Sequence, residues 1–532
     1  MVERPAAQDE YPTLVEAGLL ARSSRRAIYH GGLMVAALGV PFLIFLFSLD
    51  RYPLYYVDEP FFSEPAVRLL NGGDFLYRIS ANAPHGDVVF AAHSPVLSRL
   101  QLMVFRVLGV SQFSARLPDF VAGYLALMVL VAFLAGRRLW VTATALSLAW
   151  VGDRASQEVM LGRMDGLALL SLALGFVGLT RVIEVRSAGR AFWCGLGIGM
   201  ACAFHPICIG FAVAGAVLLV FSRSSTPTDL RLTMQIRGNL MPLAWYTLGG
   251  TIPAALVLWL WTPHLAEALI QFRWSCQNEL THQISGRFAR LLDLLGLCRF
   301  YFAGLVGLVG FVLLPMAACM ILTRWRPGLT PWSRAPWVAA LGFSLAGLVS
   351  LLRSMMFPYY LIYFTVWPVI ALGLLSDGLV GDQRSLRRMV AVAGIALASC
   401  WVPGLFWNAM RAREAIVFRE ALDQAAFARR LASMVPADVP VTGTPELNLV
   451  ARRAGLDFSP LTWVPEREPV RPRTWVILNR NDQVTGSRIE PDSLRGRPIV
   501  FDGPAFPGAK SLDYPITIFG PKPADPSRSP GG

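Results

Sequence analysis

AIYHGGLMVAALGVPFLIFLFS, residues 27–48, is an apolar run that can cross a hydrocarbon core of about 30 Å, for which about 20 residues suffice. VDEPFF follows at residues 57–62 and carries the adjacent carboxylates Asp58 and Glu59. Two acids just outside a membrane helix are costly to hold near lipid unless they have work to do. Their position places that work at the membrane surface.

Similar runs recur along the chain. Of the 532 residues, 54% are hydrophobic and 16% charged, a balance that suits a polytopic membrane protein better than a soluble one. About eleven spans are expected. They lie near 27–48, 118–136, 140–152, 164–183, 191–204, 207–222, 243–262, 299–323, 335–352, 357–376 and 389–407. The first run lacks a following small-residue cleavage site and reads as a retained signal anchor. The expected fold class is mainly α, a polytopic helical membrane protein.

The formal net charge is +13, and nearly all of the basic residues are Arg; Lys510 and Lys522 are the only lysines. The arginines sit in short loops between apolar runs rather than in a basic groove with interleaved aromatics, which argues against nucleic acid as a partner. With the N-terminal tail, residues 1–26, in the cytoplasm, alternate loops fall inside, and each carries at least two arginines. Arg137 and Arg138 form one such pair, and Arg384, Arg387 and Arg388 another. The positive-inside rule thereby fixes the orientation. Residues 27–407 form the transmembrane domain, with a long first loop, 49–117, on the extracytoplasmic side. Within that loop, 59–71 and 95–108 have helical apolar spacing suited to helices lying along the interface.

After about residue 408 the composition changes. Segment 412–434 reads as one amphipathic helix. Short β-like runs follow at Val439–Thr442, Trp475–Leu478, Ile499–Phe501 and Ile516–Phe519. Residues 408–520 are therefore expected to form a small extracytoplasmic α/β domain, and the Pro-, Ser- and Gly-rich tail 521–532 is expected to be disordered. The cysteines lie mostly within apolar runs and form no CxxC pair, so they read as packing residues.

This topology sorts the polar residues. Asp58, Glu59, His93, Asp153, Arg154, Glu158, Arg163, Asp165, His205 and Arg353 all fall at the same face near helix ends. Converging acids, bases and arginines make a polar cavity there plausible. Adjacent carboxylates repel, which raises one pKa and suits proton abstraction; solvated loop acids are the alternative. His93 could touch a phosphate or a metal, or merely precede a helix that Ser94 caps and Pro95 opens. Arg163 and Asp165 could bind a charged headgroup, or pair to fix a helix end. Arg353, near Tyr360, could neutralise a phosphate through its paired donors, or belong to an interfacial belt with the aromatics.

VDEPFFSEPAVRLLNGGDF (57–75), HSPVLSRLQLMVFRVLGVSQFSARLPDFVAGYLALMVL (93–130) and GRMDGLALLSLALGF (162–176) together resemble the membrane glycosyltransferases of the GT-C fold. The nearest branch is the protein O-mannosyltransferase and lipid A aminoarabinose transferase group, with a weaker echo in FPYYLIYFTVWPVIALG (357–373). The resemblance implies a polyprenyl-phosphate sugar donor and transfer on the extracytoplasmic face of the plasma (inner) membrane. The family's acidic first-loop motif matches Asp58–Glu59. Its basic residue before two prolines matches His93-Ser94-Pro95, with Ser94 at the first proline. Asp58 is then the expected general base of an inverting displacement. Arg163 or Arg353 would stabilise the leaving lipid phosphate, and a divalent ion could be held by Asp58 or Glu59. His93, Arg154, Glu158, Arg163, Asp165, Arg353 and Tyr360 make up the expected donor and substrate site. A glycolipid such as lipid A, a protein and a cell-wall glycan all remain open as acceptors. The alternatives are a transporter or flippase of lipid-linked sugars and a glycan-chain ligase.

Overall fold

The computed structural model describes residues 31–51 (except 33), 59–73, 94–152, 159–221, 232–273 (except 272), 331–353, 360–379 (except 361), 406–460 (except 407, 411, 415 and 421), 470–480, 489, 491–507 and 514–523. The tail 1–26, the run 299–323, most of the run 389–407 and residues 524–532 lie outside them.

Among the described residues three helices are long and apolar enough to cross a membrane, Gln112–Gly136, Asp165–Glu184 and Asn239–Gln271. Shorter apolar helices stand at Met34–Ser48, Ala188–Phe204, Pro206–Phe221 and Ala335–Ser350. The chain is a helical membrane protein with a small sheet. In chain order the helices are α1 (Met34–Ser48), α2 (Glu59–Leu70), α3 (Pro95–Leu108), α4 (Gln112–Gly136), α5 (Trp140–Gly152) and α6 (Asp165–Glu184). Then come α7 (Ala188–Phe204), α8 (Ile209–Phe221), α9 (Leu232–Trp261), α10 (Pro331–Arg353) and α11 (Ile362–Leu379).

α4 starts earlier than its apolar run suggests. Ser111 accepts a hydrogen bond from the Ser114 amide, and the Ser114 hydroxyl accepts one from the Ser111 amide. This reciprocal cap satisfies two otherwise orphaned donors and brings Arg116 and Asp119 into the first turns of the helix. α4 and α6 run parallel, with the antiparallel α5 between them in sequence. Asp119 near the start of α4 meets Gly166 at the start of α6 at 2.8 Å. Arg137, just past the end of α4, donates to Glu184 at the end of α6 at 2.6 Å.

Small residues let the helix backbones close on one another. A Cβ on Gly195 of α7 would stand 1.9 Å from the Tyr246 carbonyl oxygen of α9, and one on Gly199 2.6 Å from the Gly250 carbonyl oxygen. Phe176, Phe211, Phe343 and Trp367 interlock with ring centroids 4.9 to 6.2 Å apart, which ties α6, α8, α10 and α11 together. Each such ring pair adds about 0.5–1.5 kcal/mol beyond the burial itself. Cys194 and Cys208 are buried in the same core.

The C-terminal part differs in one respect from its sequence reading. The amphipathic segment 412–434 is not one helix, because Asp423 accepts from the Ala425 and Ala426 amides and so starts a new one, α12 (Gln424–Met434). An aspartate side chain competes for backbone donors, and this makes it a helix starter rather than an interior residue. Five strands follow: β1 (Pro440–Gly443), β2 (Asp457–Pro460), β3 (Trp475–Asn479), β4 (Ile499–Pro504) and β5 (Pro515–Phe519). Their order is β2-β1-β3-β5-β4. β1 runs parallel to both β2 and β3, and β5 runs antiparallel to β3 and β4. The four β-like runs of the sequence coincide with β1, β3, β4 and β5. β2 has no counterpart among those runs, because DFSP is short and ends in proline. Gly443 is required at the end of β1, where a Cβ would lie 2.0 Å from the Ile477 carbonyl oxygen. A short helix, α13 (Asn448–Arg453), links β1 to β2 and lies against α2.

Candidate active site

The site grows from the first turns of α2, α4, α6 and α11, which meet at one end of the bundle. Arg116 Nε donates to Glu59 Oε1 at 2.6 Å, and its Nη1 donates to the Leu49 carbonyl at 3.0 Å. Both partners are almost wholly buried, with 0% and 3% of their side chains exposed. Arg116 Nη2 is buried without a hydrogen-bond partner among the described residues.

One turn further along α4, Asp119 Oδ1 accepts from the Gly166 and Leu167 amides, at 2.8 and 3.1 Å. Met164, at the N-cap of α6, offers no capping side-chain bond. Asp119 therefore caps α6 from a neighbouring helix, placing a negative group at the positive end of the helix dipole. This cap needs close backbones. A Cβ on Gly166 would stand 2.1 Å from the Asp119 carbonyl oxygen. Gly162 has φ +63° and packs against Ala115 and Arg116. The run Gly162–Gly166 thus holds two glycines for geometric reasons and two charges between them.

Those charges are Arg163 and Asp165. Arg163 Nε donates to Asp165 Oδ2 at 2.8 Å, and the guanidinium lies 5.0 Å from the centroid of the Phe62 ring of α2. Tyr363 of α11 donates to Asp165 Oδ1 at 2.7 Å. The His205 ring, in the turn after α7, packs against Tyr360 and Tyr363, with centroids 5.1 and 5.5 Å away. His205 Nδ1 accepts from the Ile207 amide at 3.1 Å, so the imidazole is neutral and carries its proton on Nε2. Ser94 takes the N-cap position of α3 but makes no side-chain cap bond. This corrects the capping expectation. The Ser94 hydroxyl instead donates to the Ala203 carbonyl at 2.7 Å. That bond ties the start of α3 to the turn that holds His205.

Of the residues expected from the sequence, Glu59, Arg163, Asp165 and Tyr360 come together here. Asp58, His93, Arg154 and Glu158 lie outside the described residues, and Arg353 ends α10 with its side chain outside them. The sequence reading missed Arg116, Asp119 and Tyr363. The first two had a usable signal, as ionisable residues at the mouth of an apolar run are functional candidates by default. Tyr363 had none, because aromatics surround it in sequence.

A divalent ion needs several oxygen donors. Among the described residues no three His, Cys, Asp or Glu side chains come together to hold one, and Glu59 Oε1 already accepts from Arg116. The described donors do not by themselves make a metal site.

The described residues form a helical bundle with the α2–α3 pair at its mouth and a small sheet against that pair, and the chain shares the GT-C fold with solved membrane proteins. Among the solved structures that share it are two of ArnT from Cupriavidus metallidurans. The form bound to undecaprenyl phosphate has a TM-score of 0.53 at 14% sequence identity, over 92% of this chain and 98% of that one. The apo form has a TM-score of 0.54 at 13% identity, with the same shares covered. At this identity the likeness is one of fold. No family model and no curated protein sequence matches the chain.

Proposed function

We propose that this protein is an integral-membrane glycosyltransferase that moves a sugar from a polyprenyl-phosphate donor to an acceptor on the extracytoplasmic face. The observation that carries this reading is the convergence of Glu59, Arg116, Asp119, Arg163 and Asp165 at one end of the bundle, where Arg116 pairs with Glu59, Arg163 with Asp165, and Asp119 holds the first amides of α6. A transporter places its ionisable groups near mid-membrane instead. The fold shared with ArnT, solved with undecaprenyl phosphate, supports a lipid phosphate as the donor's anchor. The isoprenoid tail would lie in lipid and its phosphate at headgroup level.

In the proposed step an acceptor hydroxyl oxygen attacks the anomeric carbon. The bond from that carbon to the lipid phosphate oxygen breaks, and the lipid phosphate leaves as an anion. Asp58 takes the hydroxyl proton. One displacement inverts the anomeric configuration. The leaving group needs positive charge rather than a strong acid. Arg353, and Arg163 as oriented by Asp165, are the residues proposed to supply it. His93, Arg154, Glu158 and Tyr360 are proposed to line the donor site. Glu59 serves as the hydrogen-bond partner that fixes the start of α2, directly beside Asp58.

The test compares a deletion strain with the same strain complemented by the parent protein or by Asp58→Asn, using mass spectrometry of envelope glycolipids and glycoproteins. The deletion should remove one glycan. The parent should restore it, and Asp58→Asn should insert into the membrane without restoring it. Full restoration by Asp58→Asn refutes the base, and an unchanged envelope in the deletion refutes the transferase reading.

A further inference from the structure

We propose that the C-terminal sheet domain is a positioning element for the site, and that it acts through the adjacent residues Arg452 and Arg453. Only the ligand-binding arm of the test below rests on the transferase reading.

Among the described residues Arg116 has two acceptors, on successive elements ten positions apart. One is the Glu59 carboxylate on the first turn of α2; the other is the Leu49 carbonyl at the end of α1. The C-terminal domain grips both. Arg452 reaches Glu64 of α2 at 3.1 Å, and the Asn448 amide reaches the same carboxylate at 2.8 Å. Arg453 reaches Asp50, the neighbour of Leu49, at 3.1 Å. Asp50 in turn accepts from the Phe113 amide at 3.4 Å, three residues before Arg116. Two consecutive arginines on one short helix thus hold, from outside, both carriers of the groups that orient Arg116.

At Glu64 the contact is buried, while the Arg453–Asp50 pair is about one third exposed. Glu64 is 4% exposed and Asn448 is fully buried. Leu449 packs with Ala66, Val67, Leu102, Phe105 and Ala115 of α2, α3 and α4, apart from the core of its own sheet. α2 is also the element that stacks Phe62 under Arg163. A helix clamped at its middle by one domain and bonded at its first turn to the site transmits the position of that domain to both guanidiniums. Burial also makes the clamp sensitive to change, because a buried charge left without its partner costs far more than an exposed one.

The experiment uses the full-length protein in nanodiscs and two perturbations. Leu449→Asp breaks the apolar patch. Arg452→Glu breaks the clamp and is paired with Glu64→Arg as a charge-reversed rescue. Hydrogen exchange of the α2 amides is read together with the affinity for undecaprenyl phosphate. Each perturbation should speed exchange along α2 as far as its first turn at Glu59 and weaken binding about tenfold, a loss of about 1.4 kcal/mol. The Glu64→Arg/Arg452→Glu double variant should restore both. Faster exchange confined to the contact turn around Glu64, or no change at all, overturns the positioning role. A parent protein that does not bind undecaprenyl phosphate counts against the transferase reading, while the exchange arm still decides the clamp.

Discussion

Replacing Arg116 by Met tests whether the buried pair with Glu59 holds the site together. The guanidinium is fully buried and 2.6 Å from a carboxylate whose own side chain is 3% exposed. Removing one member of such a pair leaves a desolvated charge, at a cost of about 3–5 kcal/mol. Glu59→Gln should cost a similar amount, because it strands the guanidinium. Arg116→Met/Glu59→Gln removes both charges and should recover most of the loss, as apolar or neutral replacements of buried pairs commonly do. The double-mutant cycle should therefore show a coupling of about 2 kcal/mol or more. Unfolding of the four proteins in nanodiscs, followed by tryptophan fluorescence, measures it. The order expected is parent, then double variant, then the two single variants. A coupling below about 0.5 kcal/mol, the scatter of independent sites, refutes the claim that these side chains stabilise each other.

Three further outcomes follow from the packing and the charges. Gly195→Ala puts a methyl group 1.9 Å from the Tyr246 carbonyl oxygen, where backbone must move, so it should destabilise the α7–α9 pair by several kcal/mol (~1–3 or more) and lower the thermal midpoint; an unchanged midpoint contradicts the close approach. Asp423→Ala removes the cap of α12 and should cost about 1 kcal/mol, read from the same unfolding curves, whereas Asp423→Ser should cost less. Burial raises the Glu64 carboxyl above its ordinary 4.5, against the opposing pull of Arg452 and Asn448. The docked state therefore binds this proton more tightly than the undocked one, and its contribution is complete below 4.5 and lost as pH rises through the docked pKa. Glu64→Gln mimics the protonated form, so its midpoint should gain on the parent's as pH rises above 4.5; a gap that closes with rising pH reverses the sign and defeats the reasoning.

What the sequence determined was local. Runs of apolar residues located most of the helices, because burial in lipid demands continuous apolar length and internal backbone bonding. Apolar spacing located α2 and α3 within the long first loop, and alternating short runs located four of the five strands. Glu59, the Gly162–Gly166 run and Tyr360 stood out in the sequence, since charges near lipid are rare, and the structure brings them to one end of the bundle. The tertiary structure decided who holds whom. Arg116 and Glu59 are 57 positions apart, Tyr363 and Asp165 198, and Asn448 and Glu64 384. No periodicity links residues at such separations. Whether a carboxylate is a free base, a helix cap or the handle of another domain depends on which donor the packed helices bring within 3 Å of it. Asp119 and Glu64 are the same chemistry in sequence; one caps α6, the other receives the C-terminal domain. Close approach at Gly166 and Gly195 made the first set of contacts geometrically available, and burial gave the charges their partners.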